Sequence, residues 1–413
     1  MTPTRPLLPD LARAFALFGI AVVNVDFFAH ATTGGVIAAG WNTPGDRILW
    51  CAVASLFLLK SYSLFALMFG FGFEQQRTAS AAEGAGFVGR YVRRMTGLLV
   101  LGALNVLLLF YGDILIVYGL VGSVLLLFRN LGPQALRRWA IGLYALQIVA
   151  ALLLALVAAF LLPPEAATIR DEVVAESGQD TANRVAGFAA VNPLTVAATR
   201  LDAWTSDIVW VLSLQGIGAL AFMLYGMSLA RRGVLLDPAA PRWSRARRID
   251  LPIGLLLAVA GGVLMVQSRN ELDFSFMAGF ALAIVGSPFT TMGYLGVIAA
   301  WTQRTESPLR TFLSRAGGGS LTAYLLQGLL MSLIFSGYGL GLVGTLSATA
   351  YIPIAAAVAV ASLAFVGWWR GRHRSGPVED LLRRWVYLGQ RRGAKTPDAE
   401  LAVPSTPAEP PRP

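Results

Sequence analysis

The side chains that could perform chemistry are few, and the first of them lie in one apolar segment near the start of the chain. Residues 10 to 30 read DLARAFALFGIAVVNVDFFAH. A histidine can take a proton from a hydroxyl or an amine, and an amide can stabilise the charge that develops on the reacting atom. Asn24 and His30, about 9 Å apart along a helix, are therefore the candidate catalytic residues. The alternative is a structural histidine near the membrane interface.

Asp10 and Arg13 lie at the other end of the same segment. Their i, i+3 spacing allows an ion pair on one helix face, and both are candidate substrate-binding residues. The structural interpretation is an Asp at the helix N-cap with an Arg that extends to the interface. Arg13 and Asn24 are close to three turns apart, so they share a face that we expect to look into the bundle.

Lys60 lies in the run ILWCAVASLFLLKSYSLFALMFGFGF, which is longer than one span requires. In one interpretation the helix is long and kinked, with Lys60 deep inside. In the other, residues 46 to 59 lie along the outer surface and Lys60 anchors the start of the true span, because a lysine near a helix end can reach the interface. The sequence favours the second, and Lys60 is a candidate substrate-binding residue.

The stretch LGALNVLLLFYGDILIVYGLVG carries Asn105 and Asp113 among apolar residues. Asp113 follows a glycine at the tip of a predicted helical hairpin, where it can cap the next helix or face a cavity at the external mouth. Ionisable and amide side chains inside a membrane are functional candidates by default. Three further polar side chains in apolar segments are assigned to the substrate site: Tyr118, Tyr324 and Gln327. Thr322, Tyr324 and Gln327 can equally serve hydrogen bonds between helices.

The composition indicates a multi-pass membrane protein. Hydrophobic residues make up 56% of the 413 residues and charged residues only 14%. The net charge of +10 is spread over short basic clusters between apolar runs, which excludes a nucleic-acid-binding stripe and indicates membrane topology. The single cysteine, Cys51, has no neighbour at metal-ligand spacing, so no metal site and no bound cofactor are expected.

Ten runs are long and apolar enough to be membrane helices, and the connections alternate between rich and poor in arginine. This pattern predicts an all-α bundle of about ten spans with both termini in the cytoplasm. The predicted spans are residues 10–30, 48–76, 95–111, 113–129, 138–162, 207–230, 250–268, 275–301, 319–337 and 347–369.

The polar segments complete the predicted organisation. Residues 1–394 form a single transmembrane domain with an external segment, 163–206, that we expect to fold as short interfacial helices. Residues 395–413 are rich in proline and small residues and are predicted to be a disordered cytoplasmic tail. In GPVEDLLRRW, Glu379 and Arg383 are expected to pair at i, i+4 on a helix lying against anionic headgroups.

Five fragments in this order resemble one family of bacterial membrane proteins: DLARAFALFGIAVVN, LKSYSLFALMFGFG, RRMTGLLVLGALNVLLLFYGDILIVYGLVG, LTAYLLQ and GPVEDLLRRW. They are similar to the domain-of-unknown-function 418 (YeiB-like) family over residues 9 to 388. The family is grouped with membrane-embedded acyltransferases, so the resemblance implies an acyltransferase-like bundle in the inner membrane. It also implies cytoplasmic acyl-CoA as the donor, and an Asn on the first helix with a His a little later.

The sequence departs from the family pattern at three polar positions. Asn105 stands where the pattern has a His, Gly318 where it has an Arg, and Ala323 where it has an Asn. The resemblance implies transfer of an acyl group to a small-molecule or glycan acceptor in the envelope, by a chain that contacts the lipid bilayer and could form a homo-oligomer. The alternatives are a transporter, with Asp113, Lys60 and Asp26 along a polar path, and a non-catalytic membrane partner.

Overall fold

The structure is a computed structural model, and it describes residues 7–32, 41, 43–83, 86–160, 167–268 and 273–388. Within these ranges every regular element is a helix, which confirms the all-α prediction. The tail predicted to be disordered, 395–413, lies outside the described residues. The α-helices of the described part are α1 Leu7–His30, α2 Pro44–Leu56, α3 Lys60–Ala82, α4 Phe87–Leu108, α5 Ile114–Val124, α6 Pro133–Phe160, α7 Ala167–Phe188, α8 Pro193–Val211, α9 Ile217–Arg231, α10 Pro241–Arg245, α11 Leu251–Gln267, α12 Phe274–Thr302, α13 Pro308–Gly317, α14 Ser320–Phe335, α15 Ala348–Trp369 and α16 Pro377–Val386.

Helix length and apolar composition identify the elements that can cross a bilayer. Among the described residues, seven helical stretches qualify, and α13 with α14, bent by 81° at the break between them, make an eighth if they count as one span. α9, and α5 with the 3-10 turn that follows it, are apolar but shorter. All ten segments predicted as spans fall on helices. The chain is thus an all-helical, multi-pass membrane protein, while the number ten and the cytoplasmic termini stay predictions.

Lys60 marks a break between two helices. Leu59 has a left-handed backbone, with φ of 64°, and separates α2 from α3. Lys60 is fully buried, and its Nζ donates to the Ala54 carbonyl oxygen at 2.9 Å. The prediction that Lys60 reaches the membrane interface is therefore wrong. The break frees carbonyl groups in the last turn of α2, and a cation is stabilised at such a helix C-terminus.

α3 and α9 cross where each presents a glycine to the other. A Cβ on Gly70 would lie 1.8 Å from the Met223 carbonyl oxygen, and a Cβ on Gly226 would lie 2.0 Å from that of Leu67. Only glycine allows two helix backbones to approach so closely, as small residues do in membrane helix pairs. This contact fixes the position of α3, which carries one wall of the site described below.

The predicted external segment folds as two long helices rather than short ones. α8 continues through a π-helical turn, Leu212–Gly216, into α9. Arg184 of α7 forms a bidentate ion pair with Asp207 of α8, with Nη1 to Oδ2 at 3.0 Å and Nη2 to Oδ1 at 3.1 Å. Burial opposes the charged form of Arg184, but Asp207 outweighs it and raises the pKa of the guanidinium. The ion pair therefore holds the two helices together.

Arg200 of α8 joins the ends of α4 and α14. Its Nη1 donates to the Leu108 carbonyl oxygen at 2.9 Å, and its Nη2 donates to Ser332 Oγ at 2.6 Å and to Tyr338 Oη at 2.8 Å. Burial favours the neutral phenol, but hydrogen bonds with Ser332 and Arg200 hold the pKa of Tyr338 below its usual value. Arg200 thus supplies a donor to a helix end whose carbonyls have no partner within the helix.

The Gly70 contact can be tested with an alanine. Gly70→Ala should destabilise the protein by about 1–3 kcal/mol, because the new methyl group overlaps a backbone oxygen that cannot move aside. The matched control is Gly89→Ala in α4, where nothing lies within 4 Å of the added Cβ. Thermal unfolding of the purified protein in detergent measures both. Equal melting temperatures for the two variants would contradict the close crossing.

Candidate functional site

A cavity of about 440 Å³ lies among α1, α3, α4, α5, α14 and α16. It is lined by the first turns of α1 and α14, the middle of α3 and the central part of α4 around Arg94 and Leu98. These helix ends adjoin the arginine-rich connections, which the positive-inside pattern assigns to the cytoplasm. Four of the predicted substrate residues line it: Asp10, Arg13, Tyr118 and Tyr324.

Asp10 and Arg13 form the predicted ion pair. Arg13 Nη1 donates to Asp10 Oδ1 at 2.6 Å, and Nη2 lies 3.5 Å from the Met68 carbonyl oxygen of α3. In the described residues α1 begins at Leu7, so Asp10 lies inside the helix and is not its N-cap. Arg13 lines the cavity instead of extending to the interface.

Arg94 of α4 brings a second guanidinium to this cavity. Its Nη1 donates to Gln76 Oε1 at 3.1 Å, and its guanidinium carbon lies 5.4 Å from the centre of the Phe69 ring. Arg13 and Arg94 are near enough to repel each other. Within the described part of the chain, Asp10 balances Arg13, but no carboxylate pairs with Arg94. In the sequence, Arg94 indicates only membrane topology, so its position in the cavity wall was not predicted.

Glu379 of α16 caps α14 at the rim of the cavity. Its Oε1 accepts from the backbone N–H groups of Leu321, at 2.7 Å, and Thr322, at 3.2 Å. Its Oε2 accepts from Thr322 Oγ1 at 2.5 Å. A carboxylate at a helix N-terminus satisfies free N–H groups and meets the positive end of the helix dipole. Glu379 therefore serves the backbone of α14 rather than a neighbour on its own helix.

The predicted ion pair between Glu379 and Arg383 is wrong. Arg383 Nη2 donates instead to Asp380 Oδ1 at 2.6 Å. The Ser375 hydroxyl also donates to Asp380, and this hydrogen bond together with Arg383 lowers the pKa of the Asp380 carboxyl. Both Glu379 and Asp380 lie within helical reach of Arg383. Because Glu379 accepts hydrogen bonds from the start of α14, Arg383 pairs with Asp380.

Asn105, Asp113 and Tyr324 form a network directly beyond the cavity. Asn105 Nδ2 donates to Asp113 Oδ2 at 2.6 Å, and Asp113 Oδ1 accepts from the Ile116 backbone N–H at 2.7 Å. The predicted cap on α5 is thus confirmed. Tyr324 Oη accepts from the Ile114 backbone N–H at 3.2 Å. One tyrosine therefore links the cavity wall to the start of α5.

Two other predicted residues have contacts between helices. Tyr118 lines the cavity while its hydroxyl donates to the Tyr62 carbonyl oxygen at 3.1 Å. Gln327 is buried outside the cavity lining, and its Nε2 lies 3.4 Å from the Leu17 carbonyl oxygen of α1. For Gln327 this contact agrees with the structural interpretation.

His30 and Asn24 lie far from the cavity. His30 is the last residue of α1, seventeen residues and about 25 Å along the axis from Arg13. Its Nε2 is buried without a hydrogen-bond partner, and its ring packs edge-on against Tyr351 at 5.2 Å. Asp26, four residues earlier, shares the helix face of His30, whereas Asn24 points about 120° away. The catalytic role of Asn24 and His30 stays a prediction.

Asp26 is a further polar residue at this end of α1. It is buried, and its Oδ2 accepts from Trp50 Nε1 of α2 at 3.3 Å, while Oδ1 has no hydrogen-bond partner. Its i, i+4 spacing to His30 was visible in the sequence and could have placed it beside the histidine. The structure thus places the Tyr351 ring against His30, while Asp26, one turn earlier on the same helix face, contacts Trp50.

The three departures from the family pattern lie in or beside the cavity. Gly318 lines it at the bend between α13 and α14. Asn105 belongs to the network beyond it, and Ala323, fully buried, precedes Tyr324. The guanidinium of Arg94 supplies positive charge to a cavity where the pattern places an arginine at position 318.

Comparisons with known proteins agree on one family. Residues 229–389 match the model of a family described as "Protein of unknown function (DUF418)". This segment includes α13 to α16, and hence the rim formed by Glu379 and the wall formed by Tyr324. The remaining walls, on α1, α3, α4 and α5, lie before the matched segment.

Two relatives match along nearly their whole length. The chain is 28% identical to "Uncharacterized protein YxaH" of Bacillus subtilis (strain 168), over 96% of this chain and 97% of that protein. It is 26% identical to "Uncharacterized protein YeiB" of Escherichia coli (strain K12), over 92% and 96%. No solved structure matches the chain.

The cap on α14 can be tested by removing it. Glu379→Ala should lower the free energy of unfolding by about 1–2 kcal/mol, because three donors at the start of α14 lose their acceptor. Glu379→Gln should recover part of the loss, since its amide oxygen still accepts. The control is Glu306→Ala, which removes an exposed carboxylate from a connection outside the cavity. A melting temperature for Glu379→Ala equal to that of the control would contradict the capping role.

Proposed function

The chain belongs to the DUF418 family, and from that premise we propose that it is a membrane-embedded acyltransferase of the bacterial cell membrane. It binds an anionic donor of the acyl-CoA class in the cavity among α1, α3, α4 and α14. The acyl group passes to an acceptor hydroxyl or amine near the opposite end of α1. The observation that carries the proposal is Arg94, a cation without a carboxylate partner in the described residues, beside Arg13 in one cavity.

Charge supports an anionic ligand. The guanidinium group has a planar fork of N–H donors that matches phosphate and carboxylate geometry. Arg13 is already held by Asp10, whereas among the described residues the partners of Arg94 are an amide and an aromatic ring. A guanidinium without a carboxylate partner inside a bundle is stabilised when an anion binds, because burial of an unbalanced charge is unfavourable.

Size and position also favour a donor that enters from the arginine-rich side. A volume of about 440 Å³ lies within the usual range of ligand pockets. The cavity has apolar walls from Phe65, Met68 and Leu98 and polar groups from Tyr118 and Tyr324. This mixture suits the head of a donor that presents both polar and apolar surfaces, while its acyl group extends out of the cavity.

In the proposed reaction, the acceptor oxygen or nitrogen bonds to the acyl carbon, and the carbon–sulfur bond of the thioester breaks. His30 Nε2 takes the acceptor proton and passes it to the departing sulfur, so CoA leaves as the thiol and the net products are acylated acceptor and free CoA. Asp26, on the same helix face, stabilises the protonated ring. The donor arm must extend about 25 Å along α1, because His30 and Arg13 lie that far apart.

Donor binding can be tested at Arg94. Acetyl-CoA and CoA should raise the melting temperature of the purified protein, and Arg94→Gln should weaken CoA binding by about 10- to 100-fold through loss of a charge-assisted hydrogen bond. Arg129→Gln, an exposed arginine outside the cavity, is the matched control and should bind CoA like the parent. If neither acetyl-CoA nor CoA stabilises the parent, the acyl-donor hypothesis is abandoned in favour of a non-catalytic membrane partner.

The chemical step can be tested separately at His30. His30→Ala should abolish acyl transfer and keep CoA affinity, since the histidine lies outside the donor cavity. The measurements are release of free thiol from acetyl-CoA in the presence of candidate acceptors, and CoA binding by the same protein. A variant that transfers as well as the parent would rule out His30 as the base.

No contact in the described residues favours the transport alternative. Lys60 is bound to a carbonyl oxygen between α2 and α3, Asp113 caps α5 and Asp26 accepts from Trp50. None of the three lines the cavity. If vesicle assays nevertheless found CoA-independent movement of an anion that Arg94→Gln abolished, the cavity would be assigned to transport.

A further inference from the structure

A second cavity, of about 510 Å³, lies between α6, α9 and α12 and shares no lining residue with the first. We call it the α6–α9–α12 groove. Its apolar walls include Ala140, Ile141, Ile148, Phe222, Phe289 and Met292. At one end stand Arg137 of α6 and Arg242 and Arg245 of α10. The groove therefore combines a long apolar surface with a basic end.

The apolar walls face outward from the bundle. Ile141 is 59% exposed and Phe289 is 37% exposed. The α6 stretch Pro133–Val157 contains an 18-residue window with a mean hydropathy of 2.4, and only 22% of that window is buried inside the protein. Apolar side chains exposed on a membrane helix contact lipid tails, so the groove opens to the acyl chains of the bilayer.

The floor of the groove is fixed by a proline. Pro288 inside α12 has no N–H to donate to the Ile284 carbonyl oxygen four residues earlier. Tyr144 of α6 donates its hydroxyl to that oxygen at 2.7 Å, and its ring packs edge-on against Phe222 at 5.2 Å. α6, α9 and α12 are thus held together at one point, and the groove is built by these contacts.

The basic end carries an excess of positive charge. Arg242 Nη2 donates to Tyr225 Oη at 2.5 Å, and Arg137 and Arg232 lie close enough to act on the same hydroxyl. Asp250 is the one carboxylate among the groove-lining residues. None of the three lining arginines forms an ion pair within the described part of the chain. Three cations thus face one anion, which leaves a net positive charge for a ligand to balance.

We propose that the α6–α9–α12 groove binds one anionic phospholipid. Arg137, Arg242 and Arg245 hold the phosphate through their guanidinium forks, and the acyl chains lie against α6 and α12. The arginines belong to connections that the positive-inside pattern places at the cytoplasmic leaflet, where anionic lipids are found. The excess charge favours an anionic headgroup over a zwitterionic one, in which a choline would face the arginines.

Lipid retention tests the headgroup site. The full chain in detergent is mixed with phosphatidylglycerol or phosphatidylcholine, and bound lipid is counted by native mass spectrometry. The parent should retain phosphatidylglycerol preferentially, and Arg137→Gln with Arg242→Gln should weaken it by about 25-fold, at roughly fivefold per arginine near an anionic headgroup. The matched control is Arg138→Gln with Arg248→Gln, two exposed arginines of the same segments outside the groove.

Three outcomes would overturn the proposal. The parent could retain both lipids equally, or both double variants could lose phosphatidylglycerol to the same extent, which would indicate general surface attraction. Inorganic phosphate at equal concentration could displace the lipid or raise the melting temperature as much, which would indicate a phosphate site without a role for the acyl chains.

A second variant tests the apolar part of the groove and does not touch the arginines. Ala145, an exposed groove residue of α6, is replaced by tryptophan, which fills the space between α6 and α12. Ala150→Trp, on the same helix and exposed outside the groove, is the control. Ala145→Trp should retain at least fivefold less phosphatidylglycerol than Ala150→Trp. Equal retention would contradict a site that holds the acyl chains.

Discussion

Two helices beside the cavity lined by Arg13 and Arg94 are too short to cross the hydrocarbon layer. α14 and the stretch formed by α5 with its 3-10 turn span about 24 Å each, against a layer of about 30 Å. Each leaves free backbone N–H groups at its start, and such groups cannot stay without partners in an apolar medium. Glu379 supplies the acceptor for α14, and Asp113 together with Tyr324 supplies those for α5. The cavity walls depend on these three side chains, since they fix where both helices begin.

The described arginines fall into two groups: some bind acceptors within the protein, and others face a cavity. Several of those described donate to carbonyl oxygens at helix C-termini or to carboxylates. Arg310 donates to the Trp301 and Thr302 carbonyls at the end of α12, and Arg231 donates to Glu74. Arg94 and the groove arginines differ, because each faces a cavity and has no carboxylate partner in the described residues. Their positive charge is available to a ligand. Both cavities therefore favour an anion, and they differ mainly in the apolar side chains of their walls.

The sequence predicted those contacts that lie close together along the chain. The pair of Asp10 with Arg13 and the cap from Asp113 involve residues three positions apart, and helical geometry alone brings them together. Apolar length likewise placed all ten predicted segments on helices. Glu379 and Arg94 were missed because their partners lie on other helices, and local spacing carries no information about helix order. Lys60 was misplaced because the left-handed residue before it is a leucine, which gives no sequence sign of a break.

α1 sets the limit on any mechanism that uses both of its ends. From Ala14 to Val23 it carries no titratable side chain, and most of this stretch is buried against other helices. Gln327, which contacts the Leu17 carbonyl, is an amide and does not exchange a proton near neutral pH. A chain of acids and bases along α1 therefore does not connect Arg13 with His30. The proposed group transfer between the two ends therefore depends on the reach of a flexible donor arm that carries the acyl group over this distance.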